Sequence, residues 1–373
     1  VSPPRVLFVG RTRYSLPLPP ALRKKWDAIE QELDYRILAS AAPGSSGVSG
    51  RFELLPPAPA LDGALFYLLL PFRLGRTLRR LRPDAVVAET PHVAAAALLA
   101  RALMRGPRPR VIAEVHGNWR LATRLHGSPR RRLLGPLVDA INVAALRRVD
   151  GVRALSAYTA GLAEEVRGEP VTGELPTYTD LAAFAGRAPA PLPVAPTALF
   201  VGVLEAYKNV DGLVTAWRRV AERVPDARLV VVGRGTKLSL VEQLAADLPG
   251  RVEHVEELPP EGVAARMDES TVLVLPSRFE GFGRVVIESF ARGRGVVGGR
   301  AGGILDLVED GVEGLLVDPE SPDELADALE RVLTDRALAE RLGAAAHDRY
   351  EAWHSTPEEF AARLRKLIEA ALH

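Results

Sequence analysis

Two successive doubly wound α/β domains are the fold the sequence predicts, and three observations carry the prediction. Short apolar runs alternate with amphipathic helical stretches along nearly the whole chain. A connector, Gly186–Pro196 (G-R-A-P-A-P-L-P-V-A-P), breaks the alternation once, and its four prolines forbid regular helix and favour extended chain. The length, 373 residues, suits two domains better than one.

In the first half the predicted strands are Val6–Val9, Tyr35–Ala39, Phe52–Leu55, Ala85–Ala88, Val111–Val115 and Gly151–Ser156. Most are almost uniformly apolar rather than alternating, as strands buried on both faces are. Between them Pro20–Leu33, Ala64–Leu81, Val93–Met104 and Leu133–Arg147 carry helical periodicity. After the connector the pattern restarts with strands Ala198–Val203, Leu229–Val232, Val252–Val255, Val272–Leu275, Val296–Val297 and Leu315–Val317. Helices are expected at Asn209–Val224, Leu238–Leu248, Gly262–Met267, from Arg284, at Ile304–Glu309 and at Pro322–Leu333. The expected domains are 1–188 and 189–355. Two further helical stretches, Ala337–Tyr350 and Pro357–Leu372, exceed what the second domain needs, so the last segment, 356–373, is expected to cross back to the first domain. Two such domains joined by one linker imply a ligand cleft between them.

An apolar fraction of 47% with 25% charged residues is that of a globular chain. Without cysteine there is neither a disulfide frame nor a thiolate metal site. Arg5–Val9 reads as a first strand rather than a signal peptide, and the apolar stretches around Ala64–Phe72 and Val93–Leu103 are too short or interrupted to span a bilayer. A cytoplasmic location is the expectation. The net charge of +1 hides an asymmetry: residues 1–190 hold 27 Lys+Arg against 16 Asp+Glu, or +11, and the remainder is −10.

Pro276–Glu288, P-S-R-F-E-G-F-G-R-V-V-I-E, is the most informative stretch. It follows a short apolar strand and opens an apolar-periodic helix. Glycines at such a junction let backbone N–H groups face a ligand, and a helix N-terminus favours anions. Ionised carboxylates such as Glu280 and Glu288 only accept hydrogen bonds, which sugar hydroxyls donate. The pattern suggests a nucleotide-sugar cradle.

These residues resemble the GT-B-fold, retaining glycosyltransferases of family 4, also called glycosyl transferases group 1. Pro276-Ser277-x-x-Glu280-Gly281-Phe282-Gly283-x4-Glu288 is similar to the family's E-x7-E element. Upstream, Phe200-Val201-Gly202-Val203-Leu204-x3-Lys208-Asn209 resembles its strand–Gly–loop–Lys element. Downstream, Gly302-Gly303-Ile304-Leu305-Asp306 is similar to its G-G-I-x-E segment, with a glycine-rich turn after it. The likeness is strong over roughly 198–335 and weak over the first domain. It implies GT-B architecture, two Rossmann-like domains facing across a cleft, with a UDP- or GDP-sugar donor, no cofactor and no metal.

By the resemblance, Glu280 contacts donor-sugar hydroxyls and Glu288 the ribose hydroxyls. Gly281, Phe282 and Gly283 supply backbone donors, and Lys208 meets the diphosphate as charge builds on the leaving group. Gly202 belongs to the same loop. Gly233-Arg234-Gly235 resembles the glycine turn near the nucleotide, and base recognition is expected from backbone near His254. No third glycine follows at dinucleotide spacing, which argues against a dehydrogenase. The chain departs from the family at Val203, where relatives place a phosphate-binding arginine, and at Asp306, where they place Glu. Arg278, Arg284 and Arg234 are the substitutes to weigh, with Arg284 preferred because it opens the helix.

In the first domain, His116 of His116-Gly117-Asn118 ends a strand, where family members often keep a His close to the donor sugar. Gly10 ends the first strand, and Arg11, Arg13 and Tyr14 of the loop after it are expected to shape the acceptor pocket. Between Arg101 and Arg153 there are 12 Arg against Glu114, Asp139 and Asp150, with Arg130-Arg131-Arg132 ahead of an apolar helix. A solvated face is one reading. The other is an anionic or lipid-linked acceptor, with peripheral contact at the inner membrane face. No aromatic platform accompanies the arginines, so nucleic acid is not expected. The readings left open are a nucleotide-sugar-binding protein without turnover, and a GT-B epimerase or phosphorylase.

Overall fold

The computed structural model describes residues 3–45, 47–56, 62–121 and 129–373. It consists of two compact units, one of Val1–His116, Arg130–Tyr178 and Ser355–His373, the other of Gly117–Pro129 and Thr179–His354.

The first unit is an eight-stranded sheet: β1 Arg5–Tyr14, β2 Asp34–Ala41, β3 Gly47–Ser49, β4 Phe52–Leu55, β5 Ala85–Ala88, β6 Arg110–Val115, β7 Gly151–Ala154 and β8 Gly173–Glu174. The order is β3-β4-β2-β1-β5-β6-β7-β8, with every pairing parallel except β3 on β4. Its core sets Trp26, Ile29 and Leu33 against Phe360, Leu364, Leu367 and Ile368. The latter four recur along one face of the helix Pro357–Leu372, which is anchored at its start by a Thr356–Glu359 capping box. The chain's last helix thus completes the core that its first helix, Pro20–Glu32, begins.

The short strands β3 and β8 were not expected from the sequence, and two further segments differ from the expectation. β1 runs on to Tyr14 rather than ending at Val9, resuming after an irregularity with Arg13 opposite Ser40 and Tyr14 opposite Ala41. Glu89 holds the irregular stretch by accepting from the backbone N–H of Arg11 at 2.5 Å and of Thr12 at 3.0 Å. Tyr14 is therefore core, edge-on to Trp26 and Phe52, with its phenol pKa driven up by burial and then by Glu89. The strand expected at Gly151–Ser156 stops at Ala154, and Ser156 instead caps a helix, Ala157–Arg167, closed by left-handed Gly168. Small residues and a mid-helix glycine, A-Y-T-A-G-L-A-E-E-V-R, blur the apolar period there.

The second unit is a six-stranded, wholly parallel sheet: β9 Thr197–Val201, β10 Arg228–Val232, β11 Val252–Val255, β12 Val272–Leu275, β13 Val296–Gly299 and β14 Gly314–Val317. Its order, β11-β10-β9-β12-β13-β14, winds outward in one direction from β9 and in the other from β12. Loops leaving the carboxyl ends of β9 and β12 therefore diverge, and ligands of open α/β sheets bind at such a point.

The proline-rich segment is no free linker. Arg292, fully buried, donates to the carbonyls of Phe184 (2.9 Å), Arg187 (2.7 Å) and Ala188 (2.9 Å) and pairs with Asp268 at 2.6 Å. Arg294 reaches the carbonyls of Ala190 and Pro191 at 2.9 and 3.2 Å, and burial brings its pKa down to about 10. Prolines leave carbonyls without a ladder to join, and these two guanidinium groups satisfy them. The second unit accordingly begins at Thr179, upstream of the expected 188/189 boundary, and also takes in 117–129.

Replacing Arg292 with Met strands three carbonyls in the interior and leaves Asp268 with Arg187 as its remaining ion-pair partner. Unfolding in urea is expected to show a loss of about 3–5 kcal/mol; a loss under 1 kcal/mol would show that the strap does not depend on it.

Candidate functional site

Four loops at the carboxyl ends of β9, β10, β12 and β13 build the site. After β9 the chain makes a single 3-10 turn, Ala206–Lys208, and Asn209 follows in the left-handed conformation at φ 56°. The Asn209 side chain accepts from Gly212 N–H at 3.3 Å, capping the helix Val210–Arg223, and donates to the Pro319 carbonyl at 2.6 Å. This fixes Lys208 at 8% exposure, one residue before the cap.

After β12 the buried Ser277 donates to Glu280 Oε1 at 2.7 Å, and Lys208 Nζ meets the same oxygen. The other carboxylate oxygen, Oε2, receives no hydrogen bond among the described residues. Tyr207 stacks on Phe279 with centroids 5.1 Å apart, walling the pair, and burial followed by Glu280 drives its phenol pKa up.

Backbone packing holds Glu280 in place. Gly303 N–H donates to the Glu280 carbonyl at 2.9 Å, and a Cβ on Gly302 (φ +63°) would sit 2.4 Å from that oxygen. Only glycine fits there. Gly302 and Gly303 thus clamp the backbone of Glu280. A similar embrace joins the β9 and β10 loops: a Cβ on Gly233 would lie 1.9 Å from the Gly202 carbonyl, and Leu204 N–H donates to the Arg234 carbonyl at 2.9 Å. Glu205 locks it by accepting from Thr236 N–H (3.1 Å) and Oγ1 (2.7 Å). His254 holds the same turn through Nε2, 2.8 Å from the Gly233 carbonyl.

The helix Arg284–Ala291 starts at left-handed Gly283. Phe282 turns into the core, edge-on to Trp353 at 5.6 Å, so only its backbone is left for a ligand. Glu288, half-buried one turn further on, has no hydrogen bond or ion pair among the described residues. Burial raises its pKa, and Arg284, one turn back, only partly opposes this. Val203 is 46% exposed. Of the three arginines weighed as its replacement, Arg278 is committed to Asp211 (3.0 Å), Glu320 (2.7 Å) and the Ala206 carbonyl (2.7 Å). Arg234 is exposed and paired with Glu257. Arg284 is exposed and, among the described residues, unpaired.

In the first unit His116 ends β6 with Nε2 2.8 Å from Glu114 Oε2. Burial would raise the Glu114 pKa, but Arg153 and His116 more than reverse this and hold it well below the usual carboxylate range. Arg153, directly opposite Glu114 on β7, also donates to the Leu175 and Pro176 carbonyls, each at 3.0 Å. This buried pair was missed in the sequence, where its signal was one charge inside each of two apolar strands. The side chains of Arg130, Arg131 and Arg132 lie outside the described residues.

Residues 191–349 match the family model for glycosyl transferases group 1, and residues 11–174 match a glycosyl transferase 4-like domain. A D-inositol 3-phosphate glycosyltransferase of Thermobifida fusca is 36% identical over 183 residues, 46% of this chain and 42% of that one. The chain thus spans about two-fifths of the length of such curated relatives. Among solved structures, sucrose-phosphate synthase from Thermosynechococcus elongatus superposes with a TM-score of 0.78 at 20% identity, covering 97% of both chains. Anabaena HepE, solved with UDP and glucose, gives 0.70 at 19% identity over 97% of this chain and 99% of that one. At these identities the likeness is one of fold.

Glu288 supplies a pH test. Its raised pKa means that the folded state binds the proton more tightly than the unfolded chain. The stability it confers is complete below the ordinary Glu value and is lost as pH rises through the higher folded value. Melting of Glu288→Gln against wild type should therefore show a gain that is absent at low pH and builds as pH rises through that window. A gain independent of pH, or a loss, would contradict burial as the cause.

Proposed function

Because this chain belongs to the glycosyl transferases group 1 family and has its GT-B fold, we propose that it is a retaining glycosyltransferase. It moves a sugar from a nucleotide-diphospho-sugar to an acceptor hydroxyl. The observation that carries the reading is the buried Lys208–Glu280–Ser277 cluster at the diverging strand ends, beside the unpartnered Glu288.

Each group has a task that its position suits. Glu288 accepts from the ribose hydroxyls, which relieves a carboxylate otherwise buried at a cost. Glu280 offers Oε2 to the donor sugar while Oε1 stays with Lys208 and Ser277. In the reaction the bond from C1 to the diphosphate oxygen breaks, and a bond from C1 to the acceptor oxygen forms on the same face. The acceptor proton passes to the departing diphosphate, so no protein nucleophile is needed. Lys208 and Arg284 meet the charge that builds on the leaving group, with the N-terminus of the helix Arg284–Ala291 adding partial positive charge. The reading takes no metal, since these groups supply the neutralising charge. His116, its ring fixed by Glu114, is taken as a further catalytic group.

The acceptor is taken as anionic or lipid-linked, in keeping with the +11 charge of residues 1–190, and the protein as cytoplasmic and peripheral at the inner membrane face. One competing reading has an observation in its favour. Val203, where relatives carry a phosphate arginine, suits a nucleotide-sugar-binding protein without turnover. Donor binding without release of nucleoside diphosphate across a broad acceptor panel would select it.

A thermal-shift screen of UDP- and GDP-sugars should raise the melting temperature with at least one donor, because ligand bound only by the native state stabilises it. No shift with any of them at saturation sinks the reading. Arg284→Ala is expected to weaken nucleoside-diphosphate binding at least tenfold with no change in melting of the free protein; unaltered affinity would place the phosphate contact elsewhere.

A further inference from the structure

We infer that Arg153 and Glu114 are positioning residues that fix which nitrogen of His116 carries the proton, so that the ring meets substrate with the lone pair of Nδ1, as a hydrogen-bond acceptor for a hydroxyl. This deepens the transferase reading and rests on it for the ring's partner; the placement of the proton stands on the first unit alone.

Glu114 and Arg153 face one another across β6 and β7, and His116, two residues beyond Glu114, continues the same side of its strand. An arginine that only neutralised a buried carboxylate would favour a fork over both oxygens. Arg153 does otherwise. Its Nη1 meets Glu114 Oε1, while Nε and Nη2 donate to the Leu175 and Pro176 carbonyls at 3.0 Å each. The guanidinium also lies 5.5 Å from the centre of the Phe360 ring, on the last helix. Glu114 Oε2 is thereby left to His116, whose Nε2 is 2.8 Å away.

Charge sets the direction of that bond. Burial opposes ionisation of Glu114, but Arg153, His116 and Lys25 outweigh it. An ionised carboxylate only accepts, so Nε2 must donate. In the neutral ring the lone pair then sits on Nδ1, which makes no hydrogen bond among the described residues. The His116 side chain is 39% exposed, against 10% and 6% for Glu114 and Arg153. The two charges are inside, and only the ring they orient reaches out. Sugar and polyol hydroxyls are groups that donate to such a nitrogen. Packing alone accounts poorly for the pair, because a buried ion pair adds little stability over apolar residues of the same size.

Nitrogen-15 spectra of the histidine-labelled full chain, taken well above about pH 6.5, the ordinary histidine value, should show the His116 proton on Nε2. The signal missing in His116→Asn assigns it. A proton on Nδ1 in the wild type overturns the inference. Glu114→Gln should reverse the tautomer: Arg153 only donates and keeps the amide oxygen, so the amide nitrogen turns to His116 and Nε2 must accept. An unchanged tautomer in folded Glu114→Gln overturns the inference. Should that variant not fold, Glu114→Leu/Arg153→Met strands no charge and should show both tautomers; Nε2–H alone would mean that the pair does not fix the ring. Release of nucleoside diphosphate from UDP-glucose or GDP-mannose across the acceptor panel should fall at least tenfold in Glu114→Gln, and no fall overturns the role at substrate. Weaker binding of the sugar nucleotide, with UDP and GDP bound as before, assigns the hydroxyl to the donor sugar; unchanged binding of both assigns it to the acceptor. No release by the wild type from any UDP- or GDP-sugar, with the tautomers as stated, sinks the transferase reading and upholds the arrangement.

Discussion

An ammonium and a hydroxyl sharing one oxygen of a buried carboxylate is the interaction on which the second unit's site depends. Taking Lys208 and Glu280 out of water costs more than a bare ion pair returns, so the pair is weak evidence for stability. It persists because its surroundings leave neither partner another place to be. Asn209 caps a helix immediately after Lys208, Ser277 supplies a second donor, and the Gly302-Gly303 turn closes on the Glu280 backbone. The result is preorganisation: a positive group and an open carboxylate oxygen held still at a divergence of parallel strands.

The glycines follow from the same constraint. Loops from β9 and β10 on one side, and from β12 and β13 on the other, touch backbone to backbone, which any Cβ at Gly233 or Gly302 would prevent. Their first service is to hold the polar side chains, with a ligand profiting only indirectly. Glu288 stands in contrast. It is the one acidic group of the motif that the protein leaves without a hydrogen bond among the described residues, and burial raises its pKa accordingly. Such unrelieved cost in an otherwise satisfied site is where a ligand has most to give.

Much of this was legible in the sequence. Near-continuous apolar runs marked six strands of each sheet, because strands buried on both faces have no polar side to confuse the pattern, while the short β3 and β8 carry no such run. Lys208, Glu280 and Glu288 could be singled out because the motifs lie at strand ends. Contacts between distant loops were not legible: nothing local says that Gly302 approaches Glu280, or that Arg292 and Arg294 bind the carbonyls of the proline-rich segment. The helix Ala157–Arg167 was missed although Ser156 and Gly168 mark its ends, since small residues hide its period. Register explains the other omission. Glu114 and Arg153 stand opposite one another on adjacent strands, and a sequence without pairing information shows only two unexplained charges.

Titration calorimetry of UDP and GDP against the wild type and Lys208→Met/Glu280→Gln tests the central claim most directly. The double variant removes both charges together, so neither is stranded and the fold, checked by circular dichroism, should survive. The cluster's role in holding the diphosphate requires at least tenfold weaker binding of whichever nucleotide the wild type prefers. Equal affinity in a folded double variant would contradict it, and would leave the buried pair a feature of packing alone.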